Sequence, residues 1–310
     1  MGQTAATHDH WTAEAVPEQH GRTVLITGAS AGIGFETARV LAGRGAKVVL
    51  ACRNEAAATA AMQRIQAVVP AASLELVSLD LASLDSVRAA ADEIRTRFQQ
   101  LDLLINNAGV MTPPYSRTAD GFELQFGTNH LGHFALTGLV IDRLRAVPGA
   151  RIVTVASLMH KRGKINFEDL QFERGYRRSP AYAQSKLANL MFTYELQRRL
   201  AASDARAVAV AAHPGVSRTN LDRHLPGWVR SAYRAVNGVM TQDAASGALP
   251  TLRAATDPTV IGGQYYGPAG LGEVRGHPVL VKSAAQSHDP QIQRRLWEES
   301  ERLTGVTYPL

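Results

Sequence analysis

The sequence predicts an α/β protein: a single-domain, doubly wound parallel sheet of about seven strands with helices on both faces. Three observations predict it. Short β-rich runs alternate with helical stretches from residue 23 to residue 212, the rhythm of strand-helix-strand units joined by right-handed crossovers. The strand candidates are continuous apolar runs, as expected for strands covered on both faces. A glycine-rich turn joins the first run to the first helix.

Thr23-Val24-Leu25-Ile26 reads as a buried first strand, followed by a helix over 33–44. A second strand over 47–51 precedes a helix over 55–68, and a third over 74–79 precedes a helix over 84–98. The fourth strand, 101–105, leads into a long helix over 121–144. Then come a fifth strand over 151–156, a helix over 180–200 and a sixth strand over 206–212. Beyond Ala212 the rhythm loosens. Residues 214–240 mix Pro, Gly, Trp228 and Tyr233 and read as a mobile segment with short helices. A helix over 243–255, a last strand at Gly263-Gln264-Tyr265-Tyr266 and a terminal helix over 290–303 complete the pattern. No low-complexity linker or short repeat divides the chain. One domain, 21–310, is expected after an amino-terminal arm, 1–20, whose Trp11 docks on the body.

A chain of 310 residues can bury enough surface to need no disulfide or metal staple, and no metal site is expected. Cys52 is the sole cysteine. That points to a reducing compartment, and a cytoplasmic location is expected. The net charge of +6 comes from scattered basic residues without interleaved aromatics, which argues against a nucleic-acid partner. No run approaches the ~18–20 apolar residues of a transmembrane helix. The first twenty residues lack the basic-then-apolar layout of a signal peptide.

The turn Thr27-Gly28-Ala29-Ser30-Ala31-Gly32-Ile33-Gly34 follows a strand and opens a helix. Its glycines permit a tight turn and a close backbone approach to a diphosphate. Free N–H groups at the helix start face the phosphate charge. Gly28, Ser30, Ala31, Gly32, Ile33 and Gly34 are therefore candidate cofactor contacts. The spacing differs by one residue from the standard dinucleotide fingerprint, and a plain strand-to-helix turn is the alternative. After the second strand the chain reads Ala51-Cys52-Arg53-Asn54. A carboxylate there would bond a bare ribose and repel a 2′-phosphate. Arg53, with Asn54 beside it, can fork onto a phosphate, which favours NADP(H). The alternative is that Arg53 caps a strand end. Asp80, followed by Leu81, ends the third strand, where its carboxylate can accept from an adenine amino group or cap the next loop.

Tyr182 and Lys186 lie one helical turn apart in Ala181-Tyr182-Ala183-Gln184-Ser185-Lys186. A phenol with its ordinary pKa near ~10 is a poor base at neutral pH. A cation beside it favours phenolate and lowers that value, and Lys186 shares its helical face. Ser157, at the end of the fifth strand, can orient a substrate oxygen. Asn129, inside the long helix, can bond backbone and hold a water linking Lys186 to solvent. The bland alternatives are a surface Tyr–Lys pair, a serine helix cap and a buried structural amide. Glycine turn and Tyr–Lys pair together indicate a hydride-transfer enzyme.

Four motifs in order, Thr27-Gly28-x-x-x-Gly32-x-Gly34, Asn106-Asn107-Ala108-Gly109, Tyr182-x-x-x-Lys186 and Pro214-Gly215, resemble the short-chain dehydrogenase/reductase family from Gly21 to the seventh strand. The resemblance implies a Rossmann-like fold. It places Asn106, Asn107, Ala108 and Gly109 against the cofactor, and Asn129, Ser157, Tyr182 and Lys186 on the catalytic tetrad. Lys186 would also bond the nicotinamide ribose. Pro214, Gly215, Val216 and Thr219 would line the carboxamide end. Thr128-Asn129-His130-Leu131-Gly132-His133-Phe134, Ala51-Cys52-Arg53 and the long 157–182 stretch with Ile165-Asn166-Phe167 resemble the retinol-dehydrogenase-like branch. That branch implies interconversion of a carbonyl and an alcohol on a largely apolar small molecule, with 214–240 closing over it. The family resemblance also implies homo-oligomers, usually dimers or tetramers, assembled through the 121–144 and 180–200 helices. Two features depart from it: the first twenty residues carry no hydrophobic anchor, and the glycine turn lacks the basic residue of many NADP-preferring members. The alternatives are a non-catalytic NADP(H)-binding redox sensor and a C=C reductase resembling protochlorophyllide reductase.

Overall fold

The computed structural model describes residues 10–216 and 242–310. Strands β1 (Thr23–Thr27), β2 (Lys47–Cys52), β3 (Ser73–Ser78), β4 (Leu103–Asn106), β5 (Arg151–Val155), β6 (Val208–Ala212), β7 (Tyr265–Pro268) and β8 (Pro278–Leu280) form one sheet. Their order is β3-β2-β1-β4-β5-β6-β7-β8. All neighbours are parallel except β7 and β8, which pair antiparallel through Tyr266 with Leu280 and Pro268 with Pro278. The sequence predicts about seven strands; β8 is the addition. It is too short to show periodicity, and its proline is tolerated because it lies at a sheet edge.

Helices α1 (Gly32–Gly43), α2 (Glu55–Val68) and α3 (Leu84–Arg97) connect the first four strands. Asn54 and Ser83 cap α2 and α3, accepting from Ala57 N at 2.9 Å and Ser86 N at 3.3 Å. The helix expected over 121–144 starts later and is not uniform. We call it α4: a turn at Leu124–Phe126, a π-helical segment at Gly127–Leu131 and an α-helical segment at Gly132–Val140. The buried Glu123 carboxylate sets its start by accepting from Gln125 N and Phe126 N at 2.9 and 2.7 Å. Helices α5 (Arg178–Ala201), α6 (Ala244–Thr256) and α7 (Pro290–Thr304) follow.

Both sheet faces are covered, as continuous apolar strands require. On β1, Leu25 packs in the core with α3, α4, α5 and Trp297. Its neighbours Val24 and Ile26 pack with α1, α2 and α6 on the other face. The strand order reverses between β1 and β4, which opens a crevice at their carboxyl ends.

Residues 10–20 are docked on the body. Trp11 and Val16 are buried, and Arg44 donates to the Glu14 carbonyl at 2.7 Å. Helix α7 lies across α4 and α5. Trp297 stacks on Phe192, with ring centroids 5.9 Å apart, and stands edge-on to Phe134 at 5.0 Å. Tyr308 donates to the Phe134 carbonyl at 2.6 Å. The carboxyl-terminal segment thus covers part of the two helices, α4 and α5, that are expected to carry subunit assembly. Among the described residues no helix is long and apolar enough to cross a membrane.

Candidate active site

The glycine turn is compressed against the segment after β4. Gly28 has φ 69°, and a Cβ on it would lie 2.9 Å from Ala108 Cβ. A Cβ on Gly34 would lie 2.5 Å from Asn107 Nδ2 and 2.6 Å from the Gly28 carbonyl oxygen. Asn107 Nδ2 donates to the Thr27 carbonyl at 2.8 Å, so this side chain braces the turn. Helix α1 follows Ala31 without a side-chain cap or an acidic residue in its first turn. Its leading N–H groups are therefore left for an anion, and the narrow glycine walls let one approach. The residues present fit a dinucleotide diphosphate. Asn106, by contrast, is fully buried in β4, and its amide donates to Thr137 Oγ1 at 3.1 Å. It is a core residue, not a surface the cofactor could meet.

At the end of β2, Arg53 is exposed, and Nη1 stands 3.9 Å from Asp80 Oδ2. Asp80 Oδ1 accepts from Ala82 N at 2.9 Å, so one carboxylate oxygen caps the loop and the other stands beside Arg53. Asn54 spends Oδ1 on capping α2. The Leu81 side chain lies in the core beneath α3 and α4. Its carbonyl would be 2.5 Å from a Cβ on Gly132, a measure of how closely α4 passes.

Ser157, Tyr182 and Lys186 converge at the carboxyl edge of β5. Ser157 accepts from Met159 N at 3.3 Å, so the serine also caps the short turn Leu158–Arg162. Lys186 Nζ donates to the Val155 carbonyl at 2.9 Å and lies 5.9 Å from the Tyr182 ring centroid. Both titrating groups are shifted by burial. The Tyr182 phenol is pushed up to about 12, with a hydrogen bond to Ser157 pulling the other way. The Lys186 ammonium is lowered to about 8. The direction is opposite to the depression expected from a neighbouring lysine: loss of solvent around the phenolate is the larger cause, and the Ser157 hydrogen bond opposes it.

Asn129 lies in the π-helical segment, and its amide makes three hydrogen bonds. Nδ2 donates to the Val110 carbonyl at 3.0 Å and to Ser185 Oγ at 2.9 Å, and Oδ1 accepts from Val110 N at 2.8 Å. The side chain fixes the segment after Gly109, and a Cβ on Gly109 would lie 3.1 Å from Asn129 Oδ1 and 3.6 Å from Lys186 Nζ. Both Nδ2 hydrogens are spent, while Oδ1, with one donor, keeps a second acceptor position.

At the far end, Pro214, Gly215 and Val216 form a turn held from two sides. Val216 N donates to the Val274 carbonyl at 2.9 Å, and Gln242 Nε2 donates to the Pro214 carbonyl at 2.5 Å. Thr219 lies outside the described residues, as does most of the expected 214–240 segment. Sequence reasoning missed Glu273. Its carboxylate accepts from His213 Nε2 at 2.9 Å and from the Lys161 ammonium at 2.7 Å, and those two bonds hold it down to about 2. It joins the end of β6 to the turn after Ser157. Nothing in its local Gly272-Glu273 setting signals a partner some sixty residues away.

A glycine cradle at the strand-order reversal, facing a Ser–Tyr–Lys group, defines a nucleotide-dependent oxidoreductase of the Rossmann-like class. A family model described as short chain dehydrogenase matches residues 22–229, and the chain belongs to that family. Its members use NAD(P)(H) to act on alcohol and carbonyl groups. The chain is retinol-dehydrogenase-like within it. It is 41% identical over 301 residues to retinol dehydrogenase 14 of Mus musculus, covering 93% of this chain and 87% of the relative. It is 40% identical over 319 residues to retinol dehydrogenase 13 of Homo sapiens, covering 99% and 93%. A crystal structure of an uncharacterized protein from Mycobacterium Paratuberculosis matches with a TM-score of 0.82 and 43% identity, covering 97% of this chain and 100% of that one. The Pseudomonas aeruginosa RhlG/NADP complex, at TM-score 0.63 and 22% identity over 80% of this chain and 94% of that one, shares the fold.

Proposed function

We propose that this chain is an NADP(H)-dependent oxidoreductase that interconverts a carbonyl and an alcohol on a largely apolar small molecule. The meeting of Ser157, Tyr182 and Lys186 beside the glycine cradle carries this reading. When bound, the nicotinamide supplies or takes up the hydride. For reduction, Tyr182 gives its proton to the substrate oxygen while Ser157 donates a hydrogen bond to the same atom. A phenol held near about 12 is protonated throughout the physiological range, which suits donation. Lys186, lowered to about 8, is still mostly an ammonium at neutral pH and stabilises negative charge as it develops on the phenol.

Gly28, Ser30, Ala31, Gly32, Ile33 and Gly34 would hold the diphosphate, Arg53 the 2′-phosphate, and the outer oxygen of Asp80 the adenine amino group. Ala108 and Gly109 would flank the adenosine ribose, Lys186 would bond the nicotinamide ribose, and Pro214 to Val216 would receive the carboxamide. The reading includes a cytoplasmic location. It also includes self-association, which must use faces other than those under α7. The relatives' names put retinol and its aldehyde in the substrate panel beside other apolar aldehydes and ketones.

The test is NADPH oxidation over that panel by wild type and Tyr182→Phe. The variant should bind NADPH as wild type does and lose most turnover. Near-wild-type turnover across the panel would remove Tyr182 from the reaction.

A further inference from the structure

Among buried groups that this chemistry leaves unused, His133 is bonded to both halves of the site. It lies one turn beyond Asn129 in α4 and is 1% exposed. Nδ1 is 2.9 Å from the Asn129 carbonyl oxygen, and Nε2 is 2.9 Å from Thr27 Oγ1. A carbonyl has no proton to give, so Nδ1 must carry one. Burial holds the imidazole at about 4, with the bond to Asn129 opposing and the nearby Lys186 charge reinforcing. The ring is therefore neutral, and Nε2 is an acceptor.

The Thr27 hydroxyl then has one possible arrangement. Its proton goes to His133 Nε2. Its two lone pairs accept from Asn107 N and Ala108 N, each at 3.0 Å. The 3.4 Å approach to the Ile105 carbonyl would need the same proton and is the longer contact. Every hydrogen-bonding position on the hydroxyl is filled.

Each end of this bridge leads onward. Thr27 opens the glycine turn, and Asn107 and Ala108 are the wall against which Gly28 is pressed. Asn129 holds Ser185 through its amide, and the Ser185 hydroxyl donates to the Tyr182 carbonyl at 2.8 Å. We propose that His133, locked as the Nδ1–H tautomer, is a positioning residue that couples the glycine cradle to the turn of α5 bearing Tyr182 and Lys186. What the two coupled parts do rests on the oxidoreductase reading; the bridge itself does not.

Three measurements test it. In wild type, ¹⁵N NMR of the imidazole should show a proton on Nδ1, none on Nε2, and no titration between roughly pH 5 and 8. The opposite tautomer, or a titration in that range, overturns the proposal. NADPH affinity, read by nucleotide fluorescence, should fall about tenfold in His133→Leu, because two buried partners lose their bonds. kcat at saturating NADPH should fall as well. His133→Gln, which offers a donor and an acceptor on one amide, should recover part of both losses. Wild-type affinity and kcat in His133→Leu overturn the coupling, as does a Gln variant no better than Leu.

The third measurement is a double-variant comparison. Thr27→Val with His133→Leu should lose no more NADPH affinity than Thr27→Val alone, since the hydroxyl that His133 held is already gone. Additive losses would mean that the two residues act separately. Should His133→Leu fail to fold, the wild-type spectrum and the Gln variant still decide. A wild-type protein that binds NADPH but reduces no carbonyl defeats the functional reading while the NMR and affinity measurements still judge His133. A wild-type enzyme that turns over with the wrong tautomer defeats His133 alone.

Discussion

Lys186→Met should make the protein more stable at neutral pH while removing its activity. Lys186 is 4% exposed, and burial lowers its ammonium from 10.5 to about 8. At about 1.4 kcal/mol per pH unit, that gap is on the order of 3 kcal/mol held against the charged, folded form. The sign follows from proton counting. Between pH 8 and 10.5 the unfolded chain binds the proton more tightly than the folded one, so wild-type stability rises with pH across that window. Below pH 8 the full penalty is present. Methionine has similar length and no charge, so it escapes the penalty. It also loses the bond from Nζ to the Val155 carbonyl, worth ~1 kcal/mol. That carbonyl keeps a second donor, Asn189 Nδ2 at 3.3 Å, so no orphan acceptor is created. The net expectation is a gain of about 2 kcal/mol at pH 7, shrinking through the window and reversing to a loss of about 1 kcal/mol above it. Urea unfolding of both proteins at pH 7, 9 and 10.5 measures this difference, and other titrating groups cancel between them. A variant no more stable than wild type at pH 7, or a difference that does not change with pH, would refute the burial argument.

Three further expectations concern the cofactor side and the carboxyl-terminal cover. Arg53→Asp should raise the KM for NADPH far more than that for NADH; equal changes in steady-state kinetics would remove Arg53 from a 2′-phosphate contact. Gly34→Ala should weaken NADPH binding at least tenfold in a fluorescence titration, because the new methyl group would lie 2.6 Å from the Gly28 carbonyl and backbone must shift; unchanged affinity would show the turn to be looser than its contacts imply. Trp297→Ala should cost about 3–5 kcal/mol in urea unfolding, the usual range for a buried aromatic. It should also promote self-association, visible by light scattering, as the α4–α5 face opens; a stable, unassociated variant would deny α7 its covering role.

The parts of the site legible in the sequence are those whose residues sit close together in the chain. The glycine turn is a strand end, a turn and a helix start in eight residues, and the Tyr–Lys pair is a single helical turn. The strands were legible because burial on both faces leaves unbroken apolar runs. What escaped is non-local. Glu273 meets His213 and Lys161 from a loop after β7, and His133 meets Thr27 across the sheet end. Burial escaped too. Spacing placed an ammonium near a phenol, but the sign of the phenol's shift depends on how much solvent each group loses. The π-helical segment has no propensity signature of its own; the glycines that flank it, Gly127 and Gly132, pass close to Thr118 and Leu81. The amide partners of Asn129, Val110 and Ser185, are likewise non-local and cannot be read from its helix.

The position of α7 has a consequence for biosynthesis. Phe134 and Phe192 find their last neighbours in Trp297 and Tyr308, more than a hundred residues further along. While the chain is being made, the sheet and its first helices can assemble, but an oily seam along α4 and α5 stays open until residues 290–310 leave the ribosome. Closing so long a loop comes late and slowly. Chaperone dependence, and the damage done by carboxyl-terminal frameshifts, should therefore centre on that seam even though the reaction chemistry is encoded far upstream.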